Sequence, residues 1–370
     1  MPSASRKRSR TRWLAAFVCA LAALTSPPSV RAQERQDSVV ESARNGLRLG
    51  EKIVRVLLGR LPSRDVAVQD AGGSGNWSGQ RYRGVVDFVP DNGSVAVINR
   101  VDLEEYLRGV LPGEIGSRDP RDRAALQAQA VAARSYVAAR MGERRPLYDV
   151  TATVTDQVYG GVGVERSETD DAVRATRGLV LTWGDRIVTA PYHSNGGATT
   201  AAADEVFWKH GGEPFLRPVD DRAPAGGCFC DASRSGGWER RFSTVELHRL
   251  LDLYGREAGV QGPTTEVRAV RIVGRGPSGR VTSLEFETAT ARAIVRGNDI
   301  RFVLRTNGAI LPSTSFSLDV VGATVVVRGV GNGHGVGMSQ WGAIGRARAG
   351  QDARAILSAY YPGTRLSPLL

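Results

Sequence analysis

The sequence predicts an α+β protein, a mixed α/β chain with a helical segment that carries the chemistry, a β-rich C-terminal half and glycine-rich loops lining a cleft. Three observations predict it. Residues 101–136 read as helix, loop, helix. From Thr265 to Arg328 short alternating apolar runs are separated by turn residues. Glycine makes up 44 of 370 residues, more than a typical domain carries, which suits many turns and close backbone approaches. Hydrophobic content of 41% and charged content of 24% leave enough apolar mass for a real core. The length implies one large or two coupled domains.

Residues 1–32 read as a leader rather than as part of the fold. Arg6, Lys7, Arg8, Arg10 and Arg12 form a basic region, Trp13 to Leu24 an apolar stretch, and Val30-Arg31-Ala32 a cleavage-like site. The apolar run is too short to span a bilayer, which needs about 20 residues. The expectation is export with cleavage and no transmembrane helix afterwards. The leader carries six of the basic residues and no acid, so the formal charge of +11 shrinks without it. No basic run is interleaved with aromatics, which argues against a nucleic-acid partner.

Residues 33–78 are a polar lead-in followed by short strands at Ile53–Leu58 and Asp65–Val68. A hairpin is expected from Tyr82–Phe88 and Ser94–Ile98 around Pro90-Asp91-Asn92-Gly93. Asp102 then caps a helix with Leu103, Tyr106, Leu107 and Val110 on one face. That helix is expected to stop before Pro112, leaving Glu114 in a loop. A second, alanine-rich helix begins at Asp119-Pro120 and ends near Gly142, with Leu126, Ala130, Ala133, Val137 and Met141 as its buried stripe. A short helix over 168–177 and a hairpin over Gly184-Asp185 deliver Tyr192-His193-Ser194 to a strand end beside Asn195-Gly196-Gly197. Residues 201–240 are irregular. A helix capped at Ser243 precedes strands near 267–273, 280–287, 291–296, 315–320 and 323–328. Helices over about 340–349 and 352–360 close the chain.

Glu114 stands out chemically. Held between glycines and apolar residues, its carboxyl is expected to retain a proton near neutral pH, because burial disfavours the ion. His193 and His334 sit among small residues that leave an imidazole accessible. The loop at 331–337 lacks the Lys-Ser/Thr of a phosphate cradle. With the leader removed, two cysteines remain, Cys228 and Cys230. With His193 they offer zinc donors, and the alternatives are free thiols or a disulfide across an uncommon C-x-C ring. Tyr159, Tyr192, Trp208, Trp238 and Trp341 are candidates for stacking on sugar rings, or for ordinary core packing.

The ordered set of segments resembles the SpoIID/LytB family, that is, stage II sporulation protein D and amidase-enhancer-like proteins. They are Asn99–Glu114 (NRVDLEEYLRGVLPGE), Leu126–Tyr136, Asp156–Gly161 (DQVYGG), Tyr192–Thr199 (YHSNGGAT), Leu311–Phe316 (LPSTSF), Gly331–Ala343 and Tyr360–Thr364 (YYPGT). The resemblance spans about residues 80–366. It implies a catalytic core over 79–260, a β-rich inserted region over 261–330, and a C-terminal segment, 331–370, that completes the core. It also implies peptidoglycan as substrate, cut by lytic transglycosylation between N-acetylmuramic acid and N-acetylglucosamine to leave 1,6-anhydro ends, on strands free of stem peptides. Glu114 falls on the catalytic acid. Arg134, Gln157, Tyr159, Tyr192, His193, Ser194, His334, Ser339, Gln340 and Trp341 are expected to line the cleft. No cofactor is required. Some relatives hold zinc there, and His193, Cys228 and Cys230 are the residues this chain would offer; Asn195-Gly196 and the Cys228-Phe-Cys230 spacing depart from that pattern. The rival expectations are a wall-binding protein that stimulates a partner amidase, and a zinc-dependent wall hydrolase.

Overall fold

The alanine-rich helix is the axis of the fold. In a computed structural model, which describes residues 52–62, 75–116, 118–143, 145–233, 236–260 and 266–369, every residue from Ala128 to Ala138 is buried. The predicted leader and the strand expected at Asp65–Val68 lie outside the described residues. The expected stripe is therefore only part of the buried surface. Small side chains let neighbours approach this helix from all sides, which a one-faced amphipathic reading does not foresee.

Those neighbours define the first core. Helix α1 (Leu103–Glu114), helix α2 (Arg123–Gly142, the axis), helix α3 (Ser167–Ala175) and the strand Leu179–Trp183 pack together. Beside them lies a four-stranded sheet in the order Val85–Asp91, Ser94–Asp102, Ile53–Pro62, Val150–Thr151. The expected hairpin is present, its first strand shifted to Val85–Asp91 and its second extended to Asp102, and Ile53–Pro62 adds to it antiparallel. A 3-10 turn, Pro120–Asp122, capped by Asp119, leads into α2 as the Asp-Pro pair predicts.

Helix α1 corrects one expectation. It runs through Pro112 and ends at Glu114, so the acid is the last helical residue and not a loop residue. Proline in a last turn removes one backbone hydrogen bond, and the helix is held there by other contacts. Asp102 caps its start by accepting from the N–H groups of Glu104 and Glu105 at 2.9 and 3.3 Å. Gly109 and Gly113, four residues apart, form a flat seat for the segment Gln157–Gly161. A Cβ at Gly109 would overlap the Tyr159 ring, and one at Gly113 would come within 3.0 Å of Val158.

A second core is built by Gly237–Ser243, helix α4 (Thr244–Tyr254) and the strands from Val267 to Val330. Two three-stranded sheets form it, one in the order Gly237–Ser243, Thr324–Val330, Phe316–Val321, the other Val267–Arg275, Val281–Thr288, Arg292–Arg296. Its apolar residues run from Phe242 to Val327. The β-rich region thus begins near Gly237, earlier than the expected boundary at 261. The strand Gly237–Ser243 is the reason, because it pairs with Thr324–Val330 across the whole region.

The chain then returns to the first core. Met338–Ser339 pairs in parallel with Tyr192–His193, and helices α5 (Gln340–Arg348) and α6 (Ala353–Tyr360) pack on α2. A buried cluster locks them: Arg346 and the Tyr360 hydroxyl both donate to Asp221, at 3.0 and 2.8 Å. Among the described residues no helix is long and apolar enough to cross a membrane.

Candidate functional site

Glu114 sits where three segments meet. The end of α1 supplies the carboxylate. The 157–161 segment, seated on Gly109 and Gly113, supplies the Val158 N–H, which donates to Glu114 Oε1 at 2.6 Å. The start of α5 supplies Gln340, whose side-chain amide favours the carboxylate ion. Both groups favour the ion, yet burial outweighs them and pushes the Glu114 pKa up to about 7. The acid is therefore poised near neutrality, as general acid–base work requires.

Beneath it runs a polar chain. Tyr106 donates its hydroxyl to Gln157 Oε1 at 2.9 Å, and Gln157 Nε2 donates to the Tyr192 hydroxyl at 3.0 Å and to Ala133 O at 3.2 Å. Burial raises both phenols well above the usual tyrosine range, with the Glu114 charge second, so both hydroxyls stay protonated. Gln157 and Tyr192 thus belong to the surroundings of the acid. Tyr106 and Gln129, which lies 3.5 Å from Gln340, were not foreseen. Their spacing looks like ordinary helix patterning.

The histidines are brought together, but in a separate cluster. Their ring centroids lie 5.4 Å apart, and both rings bind the Val336 peptide. His334 Nδ1 accepts from Val336 N–H at 3.0 Å, so its Nε2 carries the proton and donates to Tyr192 O at 2.9 Å. His193 Nδ1 lies 3.1 Å from Val336 O, which assigns its proton to Nδ1. Burial, reinforced by Arg301 and Arg280, pulls the His334 pKa down to about 3. Burial likewise drops His193 well below the usual range, with His334 and Arg280 adding to it. Both rings are neutral at pH 7, and their bonds to the Val336 peptide shape the loops.

Several expected cleft residues are structural instead. Arg134 is fully buried and forms a two-pronged ion pair with Glu104, 2.9 and 2.8 Å, while donating to the carbonyls of Leu179 and Val173. Tyr159 is buried, its hydroxyl donating to Asn99 Oδ1 at 2.9 Å. Ser339 is buried too; its hydroxyl accepts from Gly196 N–H and Gly342 N–H, both at 3.2 Å, tying the 195–197 loop to the start of α5. Ser194 presents its carbonyl, which accepts from Trp341 N–H at 3.0 Å. Trp341 is partly exposed and lies under the guanidinium of Arg118.

The zinc expectation does not fit the arrangement. Cys228 and Cys230 are joined by a disulfide, so neither offers a thiolate. The donor atoms gathered there are those of Cys228, Cys230 and Asp231; His193 is not among them. Its Nδ1 faces Val336 O instead.

A family model described as "Stage II sporulation protein" matches residues 91–183, the stretch holding Glu114, Gln157 and α2. An uncharacterized protein of Brachyspira hyodysenteriae (strain ATCC 49526 / WA1) is 30% identical over 288 residues, covering 77% of this chain and 72% of that protein. This chain belongs to the SpoIID family. The stage II sporulation protein D of Bacillus subtilis (strain 168), another SpoIID relative, is 28% identical over 290 residues, 73% of this chain and 76% of its own. The amidase enhancer of the same organism is 30% identical over 323 residues, and the match spans 78% of this chain but 44% of the enhancer. A second model, a domain of unknown function (DUF8618), matches residues 231–337. In this SpoIID chain that match encloses the second core, whose strands run from Gly237 to Val330.

Proposed function

We propose that this chain is an exported peptidoglycan-cleaving enzyme, a lytic transglycosylase in which Glu114 serves first as acid and then as base. One observation carries the reading: Glu114 titrates near 7 from burial, and among the described residues no second carboxylate contributes to that shift. Hydrolytic glycosidases pair two carboxyl groups, and a neighbour about 5 Å away would register as a like charge. A lone acid suits a reaction that needs no activated water.

The steps balance on one residue. The Glu114 carboxyl protonates the glycosidic oxygen that leaves with N-acetylglucosamine, and the bond from that oxygen to C1 of N-acetylmuramic acid breaks. The C6 hydroxyl of the same muramic ring attacks C1, and its proton passes to the Glu114 carboxylate. The product is a 1,6-anhydro end, and the carboxyl is restored. Val158 N–H and the Gln340 side chain stabilise the transient carboxylate. The leader and this chemistry together support a wall substrate outside the cytoplasm.

The similarity to a protein named amidase enhancer favours a second reading, a non-catalytic wall-binding partner of an amidase. One experiment separates the two. Residues 33–370 and their Glu114→Gln variant are incubated with peptide-free glycan strands and with intact peptidoglycan, and products are read by mass spectrometry. Anhydro-muramic ends that vanish in the variant support the enzyme. Binding without product, together with stimulation of an added amidase, supports the enhancer.

A further inference from the structure

Arg118 lies four residues beyond Glu114, on the far side of the turn that ends α1. Its guanidinium covers the Trp341 ring at 4.9 Å from the centroid. Trp341 directly follows Gln340, whose amide favours the Glu114 carboxylate, so the Arg118–Trp341 pair adjoins the acid in sequence on both segments. Arg118 forms no ion pair among the described residues, and its Nε is buried without a hydrogen-bond partner. The carboxylate that acts on it, Asp122, is already occupied: both its oxygens accept from Arg348, at 2.7 and 2.9 Å. Burial and the Arg348 charge both work against the Arg118 cation.

A partly desolvated guanidinium without a counterion is costly, and an incoming anion relieves that cost. Stacking on an indole fixes the guanidinium plane, leaving its planar fork organised for two-pronged contact with a carboxylate. Arg118 lies beyond the end of α1 and stacks on Trp341 at the start of α5, so its charge is placed to act at a position adjoining the acid on a bound polymer. We propose that Arg118, seated on Trp341, is a specificity-determining residue that pairs with a carboxylate carried on the glycan strand near the scissile bond. This rests on the reading of the cleft as a glycan site. In a peptide-free strand every muramic ring carries a lactyl carboxylate. Where a stem peptide is attached, that group is an uncharged amide and offers Arg118 no ion pair.

The test uses the full chain carrying Glu114→Gln, so that ligand is not consumed. Binding is measured calorimetrically to a peptide-free muramyl tetrasaccharide and to the same tetrasaccharide with its carboxyls converted to methylamides. The acid form is expected to bind about tenfold more tightly at low salt, and the preference to shrink as salt rises. Adding Arg118→Gln is expected to remove the preference by weakening the acid form alone; Arg118→Lys keeps part of it. An unchanged acid-to-amide ratio in Arg118→Gln overturns the proposal. Equal binding of both forms by the parent, with anhydro product still made by the Glu114-intact chain, overturns this inference and leaves the enzyme reading standing. No binding to either form and no product removes both.

Discussion

The backbone N–H of Val158 donates to Glu114 Oε1 at 2.6 Å. Such a bond stabilises the carboxylate, yet the group still titrates at about 7 because burial dominates. Activity that needs the protonated acid is therefore expected to be level below pH 7. Above it, kcat/KM on peptide-free strands should fall about tenfold per pH unit. A rate that keeps rising to pH 9 would rule out Glu114 as the proton donor.

The same shift has a consequence for stability. The folded protein holds this proton more tightly than the unfolded chain, whose carboxyl titrates near 4.5. The associated stability is complete below about pH 4.5 and is lost as pH rises through about 7. Glu114→Gln escapes that loss. Urea unfolding should show the variant gaining on the parent between pH 4.5 and 7, by roughly 3 kcal/mol at most, then holding a constant lead. Glycan cleavage should be lost at every pH.

Arg134→Ala should cost about 3–5 kcal/mol, since it leaves Glu104 buried and unpaired. The defect is one of folding, so Tm falls sharply. A variant of normal Tm with weakened glycan binding would return Arg134 to the cleft.

Gly342→Ala should also destabilise. A Cβ there would overlap the Tyr360 hydroxyl and an Asp221 carboxylate oxygen, inside the cluster that joins α5 and α6 to the rest of the core. Overpacking of this kind costs about 1–3 kcal/mol, read as a lower urea midpoint at unchanged m-value.

For His334, nuclear magnetic resonance should show a neutral Nε2–H imidazole throughout pH 5–8, because burial and two nearby arginines hold its pKa at about 3. Titration near 6.5 would mean that the loop is open to water.

Much of this site can be read from residue types alone. Glycines and apolar residues around Glu114 foretell its burial, and so its raised pKa. What escaped sequence reasoning depends on partners far along the chain. Arg134 looks like a polar residue on an alanine-rich helix until Glu104, thirty residues earlier, folds against it. Pro112 looks like a helix stop, yet α1 continues to Glu114 with the 157–161 segment seated on its glycines. Arg118 drew no notice because one arginine among many carries no local signal. What distinguishes it comes from more than two hundred residues downstream: Trp341, which it covers, and Arg348, which takes the neighbouring Asp122.

The pairing of Tyr192–His193 with Met338–Ser339 sets an order of events. Glu114 is made early, whereas Gln340 follows only after the whole second core has been synthesised. Bringing those ends together closes a long loop, whose entropic cost must be met before the contact forms. A nascent or truncated chain ending before residue 338 contains the acid without the strand that aligns Gln340 beside it. Assembly of the site therefore waits for the second core, and a growing chain holds Glu114 without Gln340 until that core has been made.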